Sequence, residues 1–206
     1  QIALPLFHLP ALFILANNMK KVFGVATCDL TGVSGTRPYS VWRNILKRCY
    51  THYKCHQPSY DGCSIVPEWL LYSTFKKWFD ANYISGYQLD KDLLVKGNKV
   101  YSPETCCFVP QEINKLLTNR KRHRGDFYVG VSRYQQKEWV RFVAHISKSG
   151  TLVSLGYFLT PEEAFQAYKS AKERYVKERA TQYFQEGKIT QRVYQALMEY
   201  QVEITD

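Results

Sequence analysis

No C-x-x-C pair occurs in the chain, although cysteines stand at positions 28, 49, 55, 63, 106 and 107. The usual zinc-ribbon and dithiol redox motifs, which need thiols at that spacing, are therefore excluded. Cys49, Cys55, His56 and Cys63 match no standard metal template, so the thiols are expected to be free, buried side chains in a reduced cytoplasm. Repeats of roughly 20–50 residues and low-complexity stretches are also missing, which excludes solenoids and propellers. Long apolar runs are scarce. The exception, QIALPLFHLPALFILANN at 1–18, contains two prolines, lacks a basic start and is too short and interrupted to span a membrane. It reads as a leader or fragment edge outside the fold, with Met19-Lys20-Lys21 as a natural start; a degraded signal segment, the other reading, would make the cysteines disulfide candidates.

Acidic residues are the last shortage: 18 Asp+Glu face 28 Lys+Arg, a formal net charge of +10. This balance favours an anionic partner, with nucleic acid ahead of an anionic membrane surface. Residues 1–125 carry 17 bases against 8 acids, and residues 126–206 carry 11 against 10, so most of the excess lies upstream.

What is present suits a folded chain. Hydrophobic residues make up 45% and charged residues 22% of 206, enough for one large domain or two small ones. Aromatics reach 15%, suited to a core or to stacking on bases. A cationic seam, TNRKRHRG at 118–125, separates two patterned blocks. Its Arg120, Lys121, Arg122 and Arg124 are candidates for tracking a phosphate backbone or minor groove.

The upstream block follows a helical period first. Trp42, Ile45, Leu46 and Cys49 predict a helix from Pro38 to Tyr50 with Ser40 as a cap and Arg43, Lys47 and Arg48 outward as candidate DNA phosphate contacts. A second helix is expected from Glu68, with Trp69, Phe75, Trp78 and Phe79 inward and Lys76 and Lys77 exposed. Tyr87 to Leu94 and Val100 to Val109 read as extended, joined by a turn at 96–99, and Pro110 opens a short helix from Gln111 to Leu117.

Downstream the period becomes two. FYVGVSRY, WVRFVAHIS and TLVSLGYF predict three strands with a tight hairpin at Ser149-Gly150. Thr160-Pro161-Glu162-Glu163 is a helix start, followed by an inward stripe of Ala164, Phe165, Ala167, Tyr168 and Ala171. Gly187 ends that helix, and Lys188 to Gln201 is expected to form another. A sheet covered on one face by a helix has an open face that fits a major groove. Arg133, Trp139, Arg141, His145 and Ser147 are assigned to it, with Lys148 as a further DNA contact; Val129, Val131, Phe142, Ala144 and Ile146 are assigned to the helix side.

The run Gly130-Val131, Trp139 to Ile146, Leu155-Gly156-Tyr157-Phe158 and Thr160 to Tyr168 resembles the APETALA/ethylene-response-factor DNA-binding domain over about fifty residues. The resemblance implies a sheet lying in the major groove. The family usually has arginines around its first strand and a tryptophan before L-G-x-F; Ser132 and Ser154 stand there instead, so base specificity is expected to differ.

The upstream residues Trp42 to Tyr50, Tyr60-Asp61-Gly62-Cys63, Pro67-Glu68-Trp69, Leu89-Asp90-Lys91-Asp92, Tyr101 to Pro110 and Ile113-Asn114 are similar to phage and mobile-element proteins of the HNH homing-endonuclease type. That resemblance implies a base histidine beside an aspartate and a central asparagine, where this chain has Asp90-Lys91-Asp92 and Thr105. Asp90, Asp92 and Asn114 remain as candidate catalytic residues and metal ligands. Lys91, ordinarily protonated, is no general base without a large shift; His52 and His56 are loop residues that could swing in.

The fold expected is thus α+β. A degenerate HNH-like, ββα-containing domain (19–117) leads through the basic linker (118–125) to a three-stranded antiparallel sheet on a helix (126–185), then a C-terminal helix (186–206). The expected function is double-stranded DNA binding by a phage or mobile-element protein in the cytoplasm of a bacterial or infected cell, needing no cofactor and no membrane. An active endonuclease using Mg²⁺ or another divalent metal is the alternative, and a protein-interaction or inhibitor module the third reading.

Overall fold

The computed structural model describes residues 21–51, 60–117 and 127–205. The basic segment 118–125, His52, His56 and residues 1–18 lie outside them. The described chain is mixed α+β, with five α-helices and a three-stranded antiparallel sheet packed against helices. It divides into two units. One gathers the described residues up to Ser85 with Val95–Phe108, the other Gly86–Leu94 with Val109 onward.

In the first unit α1 (Arg37–Tyr50) buries Trp42, Ile45, Leu46 and Cys49, the stripe its sequence period demands. Its N-cap is Thr36 rather than Ser40; Ser40 lies inside the first turn and donates from Oγ to the Thr36 carbonyl at 2.9 Å. The helix expected from Glu68 is two elements. A 3₁₀ turn (Pro67–Leu70) is separated from α2 (Tyr72–Asn82) by Leu71, which is extended at φ −95°, ψ 121°. Trp42 Nε1 donates to the Trp69 carbonyl at 2.6 Å, so the indole that anchors α1 also fixes the turn. Strands β1 (Ser64–Ile65) and β3 (Val100–Tyr101) pair in parallel. The long extended runs expected around them are shorter, because Ser102 Oγ accepts from the backbone N–H groups of Glu104 and Thr105 and turns the chain. Of the remaining short strands, β2 (Gln88–Asp90) belongs to the second unit and β4 (Cys107–Val109) ends at the unit boundary.

In the second unit α3 (Gln111–Leu117) starts after Pro110 as expected. The sheet has the order β5 (Val131–Gln136), β6 (Trp139–Lys148), β7 (Thr151–Phe158). Ser149 and Gly150, at φ 49° and 84°, make the two-residue hairpin between β6 and β7. Helix α4 (Pro161–Gln185) opens on a complete capping box between Thr160 and Glu163. It lays Ala164, Phe165 and Tyr168 on the sheet, where they form one core with Val129, Ala144 and Val202. Small Ala164 and Ala144, both fully buried, let helix and sheet approach closely. Strand β5 starts at Val131 and not at Phe127, because Gly130 takes φ 74° directly beneath the Tyr168 ring, a place where any Cβ would collide with that ring. The final helix α5 is Gln191–Met198, capped by the Thr190 side chain, shorter than the expected 188–201.

Candidate nucleic-acid interface

Strand pairing decides which side chains share a face of the sheet, since directly opposed residues point the same way. Arg133 opposes Phe142, which opposes Phe158; Tyr134 opposes Arg141, and Val143 lies between Ser132 and Tyr157. Phe142 and Phe158 pack against the core under α4. The other face is therefore open, and it carries Tyr134, Gln136, Trp139, Arg141, Val143 and Tyr157. A bulge opposite Ala144 and His145 takes up one extra residue of β7, so His145 and Ser154 oppose each other on the open side and Ser147 opposes Leu152.

Of the residues assigned to the open face from sequence, Trp139, Arg141, His145 and Ser147 lie there. Arg133 does not: its register puts it on the side of Phe142, with Val131. Lys148, opposite Thr151, is on the helix side as well, where its Nζ sits 5.4 Å from the centre of the Tyr175 ring of α4. The helix-side assignments of Val131, Phe142, Ala144 and Ile146 match the register, and Ile146 and Ala144 are fully buried.

The open face holds more apolar surface than its arginines led one to expect. Trp139, Tyr157 and Leu152 are 67%, 61% and 68% exposed, and Tyr134 is 42% exposed. Tyr134, Tyr157, Leu152 and Gln136 are the members that sequence reasoning missed; strict alternation counted from Val131 identifies Tyr134 and Gln136. The Arg141 guanidinium lies 5.2 Å from the centre of the Trp139 ring and donates from Nη1 to the Val140 carbonyl at 2.9 Å. That places a cation over an exposed indole, an arrangement suited to lying along a sugar-phosphate strand.

The basic residues of α1 divide by environment. Arg43 and Lys47 are exposed one turn apart. Arg43 lies over Phe23 and Tyr39, at 5.5 and 6.0 Å from the ring centres. Arg48 is half-buried over the Tyr60 ring at 4.8 Å and donates to Tyr101 Oη at 3.3 Å, which gives it a packing role within its own unit. Lys77 is exposed, while Lys76 pairs with Asp80. Arg120, Lys121, Arg122 and Arg124 lie outside the described residues.

The acidic candidates are arranged as turn chemistry. Asp90 Oδ1 accepts from the backbone N–H groups of Asp92 and Leu93 at 2.9 and 2.8 Å. Burial, followed by the neighbouring Asp92 charge and a hydrogen bond to Asp92, pushes the Asp90 carboxyl up to about 6. Asp92 Oδ2 pairs with the buried Lys91 Nζ at 3.1 Å, and Asn114 Nδ2 donates to Gln88 Oε1 at 2.7 Å. One carboxylate thus caps a turn and the other holds a lysine, which fits a divalent cation poorly. Among the described residues no group of three or more His, Cys, Asp and Glu side chains is placed to hold a metal ion.

No protein-family model, curated protein or solved structure matches this chain. Among the described residues no helix is long and apolar enough to cross a membrane. Cys49, Cys63 and Cys106 are buried, and Cys28 and Cys107 are half-buried.

Proposed function

We propose that the chain binds double-stranded DNA, with the open face of the β5–β6–β7 sheet entering the major groove. The observation that carries this reading is the open face itself. A three-stranded ribbon, covered behind by α4, presents Trp139 with Arg141 stacked against it and polar His145, Ser147 and Ser154 beside them. Such a ribbon is narrow enough for the groove, and its side chains stand perpendicular to the sheet, toward base edges.

Phosphate contacts come from the basic excess upstream, with Arg43 and Lys47 as exposed candidates on α1 and the segment 118–125 as a cationic tether. The upstream unit is read as a degenerate HNH-like fold of a phage or mobile-element protein that contributes binding and not cleavage. The turn-capping Asp90 and the lysine-paired Asp92 support that choice over an active endonuclease.

Titrating fluorescently labelled duplex DNA with the full chain at increasing salt tests the reading. Neutralisation of several phosphates gives a linear fall in log affinity with log salt, about −0.9 per phosphate contacted. Affinity independent of salt, or absent at low salt, refutes it. Plasmid incubated with the chain and Mg²⁺ or Mn²⁺ stays uncut; nicking lost in an Asp90→Ala/Asp92→Ala variant would establish the endonuclease instead.

A further inference from the structure

We infer that the open face reads A·T-rich duplex through the C5-methyl groups of thymine, an inference that rests on the DNA-binding reading above. In the major groove a guanine is best matched by a bidentate arginine or lysine, a thymine by an apolar side chain on its methyl group, and an adenine by glutamine or asparagine.

The composition of this face matches the second and third of these and barely the first. Register puts Arg133 and Lys148 on the helix side, leaving Arg141 as the one guanidinium on the open side of the described sheet. That guanidinium is already laid on Trp139 and bonded to the Val140 carbonyl. On the same face stand Tyr134 opposite Arg141, Tyr157 opposite Val143 and, farther along the sheet opposite Ser147, Leu152, each at least 42% exposed, with Gln136 exposed at the end of β5 opposite Trp139. Exposed apolar surface of this kind needs an apolar counterpart to be worth burying. In the major groove the thymine methyl is the only large apolar group that base edges offer.

The experiment compares duplexes of equal length at one salt concentration: an alternating A·T sequence, the same sequence with deoxyuridine for every thymidine, and a G·C sequence with and without 5-methylcytosine. Uracil keeps the charge and hydrogen-bonding edge of thymine and removes only the methyl. The full chain binds the thymine duplex about tenfold more tightly than the unmethylated G·C duplex. It loses about threefold to fourfold per contacted thymine on uracil substitution, the fold-change expected of one buried methyl-sized group. Methylating cytosine recovers part of the loss against G·C. Leu152→Ser and Tyr157→Ser, substitutions at exposed positions, reduce the thymine-to-uracil ratio without changing the salt slope. Equal binding of thymine and uracil duplexes, or tighter binding of G·C, overturns the inference while leaving DNA binding intact. No binding to any duplex overturns both.

Discussion

The rings of Tyr134 and Tyr157 meet across the sheet, centroids 5.3 Å apart and inclined at 68°, although their strands are not neighbours. Between them on the central strand is Val143, opposed to Tyr157 and only 4% exposed on what is otherwise the open face. The ring pair crosses the central strand on the face where the strand period alone would leave this valine in water. Replacing Tyr157 by alanine should therefore cost about 1 kcal/mol of stability, the worth of one such aromatic pair, when urea unfolding is followed by circular dichroism. An unchanged midpoint would mean that the pair does not form in solution.

Gly130 is the position at which backbone and helix meet. Its φ of 74° suits glycine, and an added Cβ would run into the Tyr168 ring. Gly130→Ala should destabilise the sheet unit by at least about 2 kcal/mol, combining left-handed strain with overpacking. Gly97→Ala, at a similar φ of 78° but with open space around it, serves as the control for strain without collision. Thermal unfolding of both variants separates the two costs, and equal losses would remove the collision from the explanation.

Asp90 gives the fold a pH dependence of definite sign. Its folded pKa of about 6, raised chiefly by burial, exceeds the roughly 3.9 of an unfolded aspartate. The folded chain therefore holds this proton more tightly than the unfolded one. The resulting stabilisation is complete below about pH 4 and is lost as pH rises through about 6. Asp90→Asn should flatten the difference in urea midpoint between pH 4 and pH 7 while keeping an oxygen to accept from the Asp92 and Leu93 N–H groups. A variant with an unaltered pH profile would assign the dependence to another group.

The elements were most legible in sequence where two signals coincided. Trp42, Ile45, Leu46 and Cys49 at helical spacing, and Thr160-Pro161-Glu162-Glu163 before an alanine-rich stripe, each combine a period with a cap, and both helices form. The helix expected from Glu68 is broken where only the aromatic spacing was available, because Leu71 takes an extended conformation between Pro67–Leu70 and Tyr72–Asn82. The sheet face was half legible. Trp139, Arg141 and His145 follow the alternation of their strand, whereas Arg133, expected on the same face, lies two residues from inward Val131 and so shares its side. Its charge is accommodated because Arg133 is exposed in spite of facing the helix side. Lys148 was invisible to any strand-only pattern, since its position over Tyr175 depends on a helix that begins thirteen residues later. The acidic candidates were chosen by resemblance, and the turn that engages Asp90 depends on backbone N–H geometry that no spacing encodes.

Arg141 and Lys148 lie on the same strand, carry the same charge and face opposite sides of the sheet. Measuring duplex affinity by fluorescence anisotropy for Arg141→Ala and Lys148→Ala, at one salt concentration, therefore isolates the face from the charge. Binding through the open face predicts a loss of about tenfold for Arg141→Ala, equivalent to about 1.4 kcal/mol, and less than about twofold for Lys148→Ala, the scale of a peripheral charge. Equal losses from the two variants, or the larger loss from Lys148→Ala, would contradict it.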